Sequence, residues 1–210
     1  MYSRIKYSRT SHLPWYPGYT DDDVHLDSTN FFVGKQIVCL EKMDGENTTM
    51  YFDYIHARYI DSANILSRNW VKSFHSTFCY HIPDGWRFCG EDVYAKHSIH
   101  YQNLESYLYL FAIYNNNNIC LSWNDTLEWA NLLELTTPKV FYDGIYDENI
   151  IKNIKLDLNT IEGYVVRLKD SFHYDGFSKS VAKWVRKDHV TSDKHWTKQP
   201  IIPNILKHKE

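Results

Sequence analysis

The chain has 210 residues, a formal net charge of −3, 43% hydrophobic and 23% charged residues. At ~150 residues per domain it is one domain with a sizeable core, which excludes a disulfide-dependent miniprotein and global disorder. The balance of charge gives no overall basic character of the kind nucleic-acid binders carry, and the unusual quantity is aromatic content, 16%.

Ser8 to Asp23 is loop-like, with Pro14, Pro17, Gly18 and then Asp21, Asp22 and Asp23. Gln36 to Glu41 predicts a buried strand through Ile37, Val38, Cys39 and Leu40. Asp44-Gly45 reads as a turn and Thr48 to Tyr54 as a second strand, so the pair predicts a hairpin with Lys42 at its edge. Ser62 to Tyr80 has helical spacing, with Leu66, Trp70, Phe74 and Phe78 four apart. Trp86 to Tyr94, Tyr107 to Tyr114 and Ile119 to Trp123 predict strands, the last two separated by the turn-forming Asn115 to Asn118. Asn124 to Leu135 predicts a helix capped by Asn124, and Asp147 to Ile154 a short one. Ile161 to Leu168 and Val181 to Val185 close the series as strands. Without strict β-α-β alternation, the mixture favours an α+β architecture with antiparallel sheets.

The longest apolar run, Tyr107 to Tyr114, falls far short of the ~20 residues of a membrane-spanning helix, and the first residues lack an apolar signal core. Cys39, Cys79, Cys89 and Cys120 are widely spaced, so neither a disulfide framework nor a zinc knuckle is expected, and a cytoplasmic, reducing location is. Of eleven histidines only His97 and His100 are close together, without a matching ligand pair for zinc.

The segment Glu41-Lys42-Met43-Asp44-Gly45-Glu46-Asn47 carries the chemistry. A lysine leaving a buried strand is held on a rigid element, and desolvation or neighbouring cations free its amine as a nucleophile. Alone, the same residues describe a hairpin turn beside an exposed lysine. They are followed, however, by Gly90-Glu91-Asp92, by Glu162-Gly163-Tyr164-Val165-Val166-Arg167, and by Val181-Ala182-Lys183-Trp184-Val185-Arg186-Lys187. This order of nucleophilic lysine, two acidic strands and a basic strand resembles the covalent nucleotidyltransferases, and within them the ATP-dependent RNA ligase family. The resemblance runs from about Arg9 to Trp196 and implies an α+β ligase-adenylation fold with antiparallel sheets flanked by helices.

On this resemblance Lys42 is the residue that becomes adenylated, and Glu41 lines the adenine pocket. Arg58 contacts ribose or phosphate, with Arg68 a rival for that role. Glu91 is the acidic ribose contact, Phe111 stacks on adenine, and Glu162 assists the metal or the nucleophile. Lys183 and either Arg186 or Lys187 hold the α-phosphate. The family's last motif often has two lysines one residue apart, and here Val185 stands where the second would be. Asn47 favours RNA ligases over DNA ligases, which usually carry arginine near this point. Ser11-His12-Leu13-Pro14-Trp15 resembles the family's N-terminal stretch without an evident chemical role.

The implied cofactors are ATP and Mg²⁺ (or Mn²⁺), with Glu91 and Glu162 as metal ligands, and the implied substrates are RNA ends carrying a 5′-phosphate and a 3′-hydroxyl. The alternatives are a DNA nick ligase and a non-catalytic nucleotide- or RNA-binding module. Residues from Lys179 onward carry a net charge of +5, leaving −8 for the rest. A basic end of that kind suits a phosphate backbone or serves solubility. The expected layout is a single domain over 1–210, its motifs within about 9–196 and a basic tail over about 197–210. The 23 residues after Lys187 are too few for the C-terminal domain many ligases append, so a partner protein supplying grip on the RNA is the alternative to unaided sealing. Abundant Asn, Ile, Lys and Tyr suit an AT-rich, phage-like genome, which places the protein in a host cytoplasm.

Overall fold

Ile37, Val38, Cys39 and Leu40 form an unbroken apolar run, and a strand with neighbours on both sides takes such a run out of water. In the computed structural model they lie in β2 (Gln36–Lys42), none more than 2% exposed. The structure describes residues 3–18, 23–62, 65–187 and 201–207. Asp21, Asp22 and the tail lysines Lys194, Lys198 and Lys209 lie outside the described residues.

β2 sits between two antiparallel partners, β8 (Val140–Ile145) and β9 (Gly163–Leu168). β9 pairs in turn with β11 (Val181–Val185), which runs parallel to the short β1 (Ser11–His12). The first sheet therefore has the order β1-β11-β9-β2-β8. The second is built from β3 (Glu46–Met50), β4 (Ile55–Ala57), β5 (Arg87–Asp92), β6 (Leu108–Tyr114), β7 (Ile119–Cys120) and β10 (Phe172–His173). Its order is β10-β7-β6-β5-β3-β4, and all its pairings are antiparallel. The α+β expectation holds.

The expected hairpin between the second and third strands does not form. β2 belongs to the first sheet and β3 to the second, so Met43-Asp44-Gly45 carries the chain from one to the other. Backbone crowding makes a glycine necessary there: a Cβ on Gly45 would lie 2.4 Å from the Asp92 carbonyl oxygen. β8 was not expected, because Asp143-Gly144 has turn chemistry and this edge strand leaves Val140 and Ile145 exposed.

α1 (Asn69–Phe78) starts later than the spacing suggests. Residues Leu66–Arg68 form a 3-10 turn instead, with Leu66 in solvent. α2 (Trp123–Leu132) is capped by Ser122, whose hydroxyl accepts from the Asp125 amide at 3.1 Å, so Asn124 lies inside the first turn rather than at the cap. α3 (Glu148–Lys152) is capped by Asp147.

Met50, Val71, Phe88, Leu110, Ile113 and Ala130 pack α1 and α2 against the second sheet. Leu13, Phe32, Ile37, Tyr164 and Val166 fill one side of the first. A third cluster joins the sheets, with Cys89, Ala112, Tyr114 and Cys120 from the second meeting Val181 and Val165 of the first. All four cysteines are buried free thiols. Among the described residues no helix is long and apolar enough to cross a membrane. Residues 201–207, within the basic tail expected over about 197–210, bond to residues 94–104.

Candidate active site

The register of the first sheet places Lys42 opposite Gly163, so the residue before Gly163 arrives beside the Lys42 amine. That residue is Glu162. Its Oε2 accepts a hydrogen bond from Lys42 Nζ at 2.7 Å, and Nζ also donates to the Met43 carbonyl at 3.1 Å. The register of the second sheet places Glu91 opposite Asn47, on the far wall. Between the two sheets lies a cavity of about 790 Å³, within the size range of nucleotide and cofactor sites.

The cavity is lined by Glu41, Lys42, Asn47, Arg58, Glu91, Phe111 and Lys183 among others. Glu162 borders it through its bond to Lys42. The structure thus brings together eight of the ten residues the sequence singles out. The other two stand apart. Lys187 is exposed, and Arg186 directs Nη2 to Ser98 Oγ at 3.3 Å. Strand alternation accounts for Arg186: Val185, not Arg186, shares Lys183's side of β11 and is buried in the core, while Lys187 lies beyond the end of the strand. Arg58 takes the place of a second cation facing the cavity. It makes no ion pair among the described residues, and its charge helps to depress the pKa of Lys183. The rival Arg68 also lines the cavity, but Glu46 holds it in a two-pronged ion pair at 2.5 and 2.6 Å.

Two lysines in one cavity are pushed in opposite directions. Burial pulls the Lys42 pKa down, but the carboxylates of Glu162, Glu91 and Asp44 outweigh it and hold the amine well above the ordinary lysine range. Lys183 falls to about 8 through burial and the charge of Lys42. Burial lifts Glu91 to about 7, against the pull of Lys42.

Sequence spacing does not assign a role to three further residues at the site. Asp44 is a turn residue in the sequence, yet its Oδ2 accepts from Ser98 N, Ser98 Oγ and Ile99 N at 2.8, 2.8 and 2.7 Å. Tyr7 and His97 also line the cavity. They come from loops remote in sequence and carry no local pattern. Among the described residues no group of three or more His, Cys, Asp or Glu side chains is placed to hold a metal.

The two sheets, antiparallel but for the β1–β11 pairing, enclose a cleft with a lysine–glutamate pair at its wall, and solved structures share this mixed α+β fold. A family model described as RNA ligase matches residues 35–185, and the chain belongs to that family. It is similar in structure to Naegleria gruberi RNA ligase with pyrophosphate, at a TM-score of 0.53 and 16% identity over 87% of this chain and 61% of that one. A mutant of the same ligase with ATP and Mn gives 0.53 and 18% over 75% and 51%. A second mutant, free of ligand, gives 0.52 and 16% over the same shares. The chain covers 51–61% of the length of these ligases. No curated protein matches it significantly.

Proposed function

We propose that this chain is an ATP-dependent RNA ligase that works through a covalent lysyl-AMP on Lys42. The observation that carries the reading is the Lys42 amine, 2.7 Å from Glu162, in a nucleotide-sized cavity that Lys183 and Arg58 also face. The cavity also suits ATP chemically. Asn47 Oδ1 is buried and unpartnered among the described residues, leaving an acceptor for a nucleotide hydroxyl, and Phe111 puts an aromatic ring on the cavity wall for the base to stack on.

In the first step the Lys42 ammonium gives its proton to Glu162, and the amine attacks the α-phosphorus. A nitrogen–phosphorus bond forms as the bond to pyrophosphate breaks. Charge grows on the phosphate oxygens, where Lys183 and Arg58 offset it. A divalent cation, Mg²⁺ or Mn²⁺, held by Glu91 and Glu162 would supply further charge stabilisation on the phosphates. AMP then passes to the 5′-phosphate of an RNA end, and a 3′-hydroxyl displaces AMP to seal the strand. A partner protein that grips the RNA is compatible with this reading.

Incubation with α-labelled ATP and Mg²⁺ tests it. Wild type should carry acid-stable label, and Lys42→Ala should carry none. An unlabelled wild type that binds ATP without releasing pyrophosphate would make the chain a nucleotide-binding module. Faster sealing of a DNA nick than of a matched RNA nick would replace the substrate.

A further inference from the structure

The C-terminal segment 201–207 reaches the site without lining it. Asn204 is 1% exposed, and its polar atoms are all engaged by one loop. Its Oδ1 accepts from Tyr101 N at 2.8 Å, and its Nδ2 donates to the Val93 carbonyl at 2.8 Å. Its amide donates to the Tyr94 carbonyl at 2.8 Å, and its carbonyl accepts from Tyr107 Oη at 2.9 Å. On either side, Lys96 N donates to the Ile202 carbonyl at 2.7 Å and Ile205 N to the Tyr101 carbonyl at 2.9 Å.

That loop is what fixes the crossover after Lys42. Tyr101 Oη accepts from the Asp44 amide at 3.0 Å, while Ser98 and Ile99 supply the three donors to the Asp44 carboxylate. Asn204 and Asp44 thus hold opposite ends of one residue, Tyr101. Lys42 depends on the same crossover, since Nζ donates to the Met43 carbonyl. A displacement of ~1 Å at a reacting group costs roughly a hundredfold in rate, so a remote clamp has a large effect on chemistry.

We infer that Asn204 is a positioning residue for Lys42, acting through Tyr101 and Asp44. The inference rests on the adenylation reading for its kinetic consequence, but not for its structural one.

Three measurements on the full chain test it. Asn204→Ala, assayed at a temperature where circular dichroism shows it folded, should slow Lys42 labelling at saturating ATP at least tenfold. Its affinity for ATP should stay within threefold of wild type, because Asn204 forms no part of the cavity wall. Tyr101→Phe, which removes one oxygen, should slow labelling in the same way, and the double variant should be no slower than the slower single one. Rate losses that multiply, or wild-type labelling by either variant, would overturn the inference. If Asn204→Ala fails to fold, Tyr101→Phe decides alone.

Amide hydrogen exchange reads the clamp without ATP. In Asn204→Ala the Asp44, Ser98, Ile99 and Tyr101 amides should lose protection while those of β2 and β9 keep theirs. Unchanged protection would overturn the inference. If wild type takes no label at all, the adenylation reading falls, and exchange still decides whether the clamp exists.

Discussion

Lys42 and Lys183 face one cavity, but they are prepared for different tasks. Lys42 is held as a cation by Glu162, so the attack proposed for its amine requires that carboxylate to take the proton. Lys183 is half-buried, feels the charge of Lys42, and has its pKa lowered to about 8. It is therefore cationic below pH 8 and loses its charge as pH rises through that value. A phosphate bound beside it should be released over the same window. ATP affinity, measured by calorimetry from pH 7.5 to 9.5 without divalent metal, should weaken as pH rises, by up to about tenfold per unit above pH 8. Lys183→Arg should flatten the profile, because a guanidinium stays charged throughout. A wild-type affinity constant across this range would deny Lys183 a part in holding phosphate.

At the scale of elements, two close backbone approaches set the geometry of the site. A Cβ on Gly163 would lie 2.0 Å from the Trp184 carbonyl oxygen and 2.8 Å from the Val185 Cα. Both are backbone atoms of β11, which cannot retreat without opening the ladder that holds Glu162 beside Lys42. Gly163→Ala should lower stability by ~1–3 kcal/mol in urea unfolding, the usual cost of overpacking. Gly176→Ala, where a Cβ meets nothing closer than 3.9 Å, should leave stability unchanged and serves as the control. Equal unfolding midpoints for the two variants would show that the sheet yields at Gly163. The same elements show what the sequence conveys. Apolar runs revealed β2, β6, β9 and β11 because those strands are buried and leave little choice of environment. Asp44-Gly45 was misleading because the chemistry of a hairpin turn also serves a crossover between sheets. β8 gave no signal because an edge strand needs neither face fully apolar. The site fared better than the elements around it: Lys42, Glu91, Glu162 and Lys183 each lie on or next to a strand of a recognisable motif. Arg186 stands apart because it takes the other side of the chain from Lys183, and Lys187 because it lies past the end of β11 and is exposed. Asn204 could not be found at all, since its partners are about a hundred residues away.

Across the whole molecule, the cavity exists only while its two sheets keep their spacing, and beside the apolar cluster that joins them the Arg167 side chain bridges the gap. Arg167 of β9 is 3% exposed and donates to the carbonyls of Phe111 at 3.0 Å, Leu121 at 2.8 Å and Leu168 at 3.1 Å. Phe111 belongs to the second sheet and lines the cavity, so Arg167 ties the first sheet to the wall on which the base is proposed to stack. Its guanidinium also lies near the rings of Trp123 and Phe172, at 5.6 and 5.7 Å. Nothing in the sequence distinguishes Arg167 from an ordinary strand cation, because its acceptors are backbone carbonyls without a residue signature. A carbonyl left buried without a donor costs ~1–3 kcal/mol, and Arg167→Met strands several. That variant should lose at least ~3 kcal/mol in urea unfolding, on the same reckoning. At a temperature where it stays folded it should also bind ATP more weakly, since Phe111 is no longer held. Arg167→Lys should recover less than half of the stability, because a point-like ammonium cannot span three separated acceptors. If Arg167→Met were as stable as wild type and bound ATP equally well, the apolar contacts of Val165, Val181 and Phe177 alone would hold the sheets apart, and the guanidinium would have no part in keeping the cavity open.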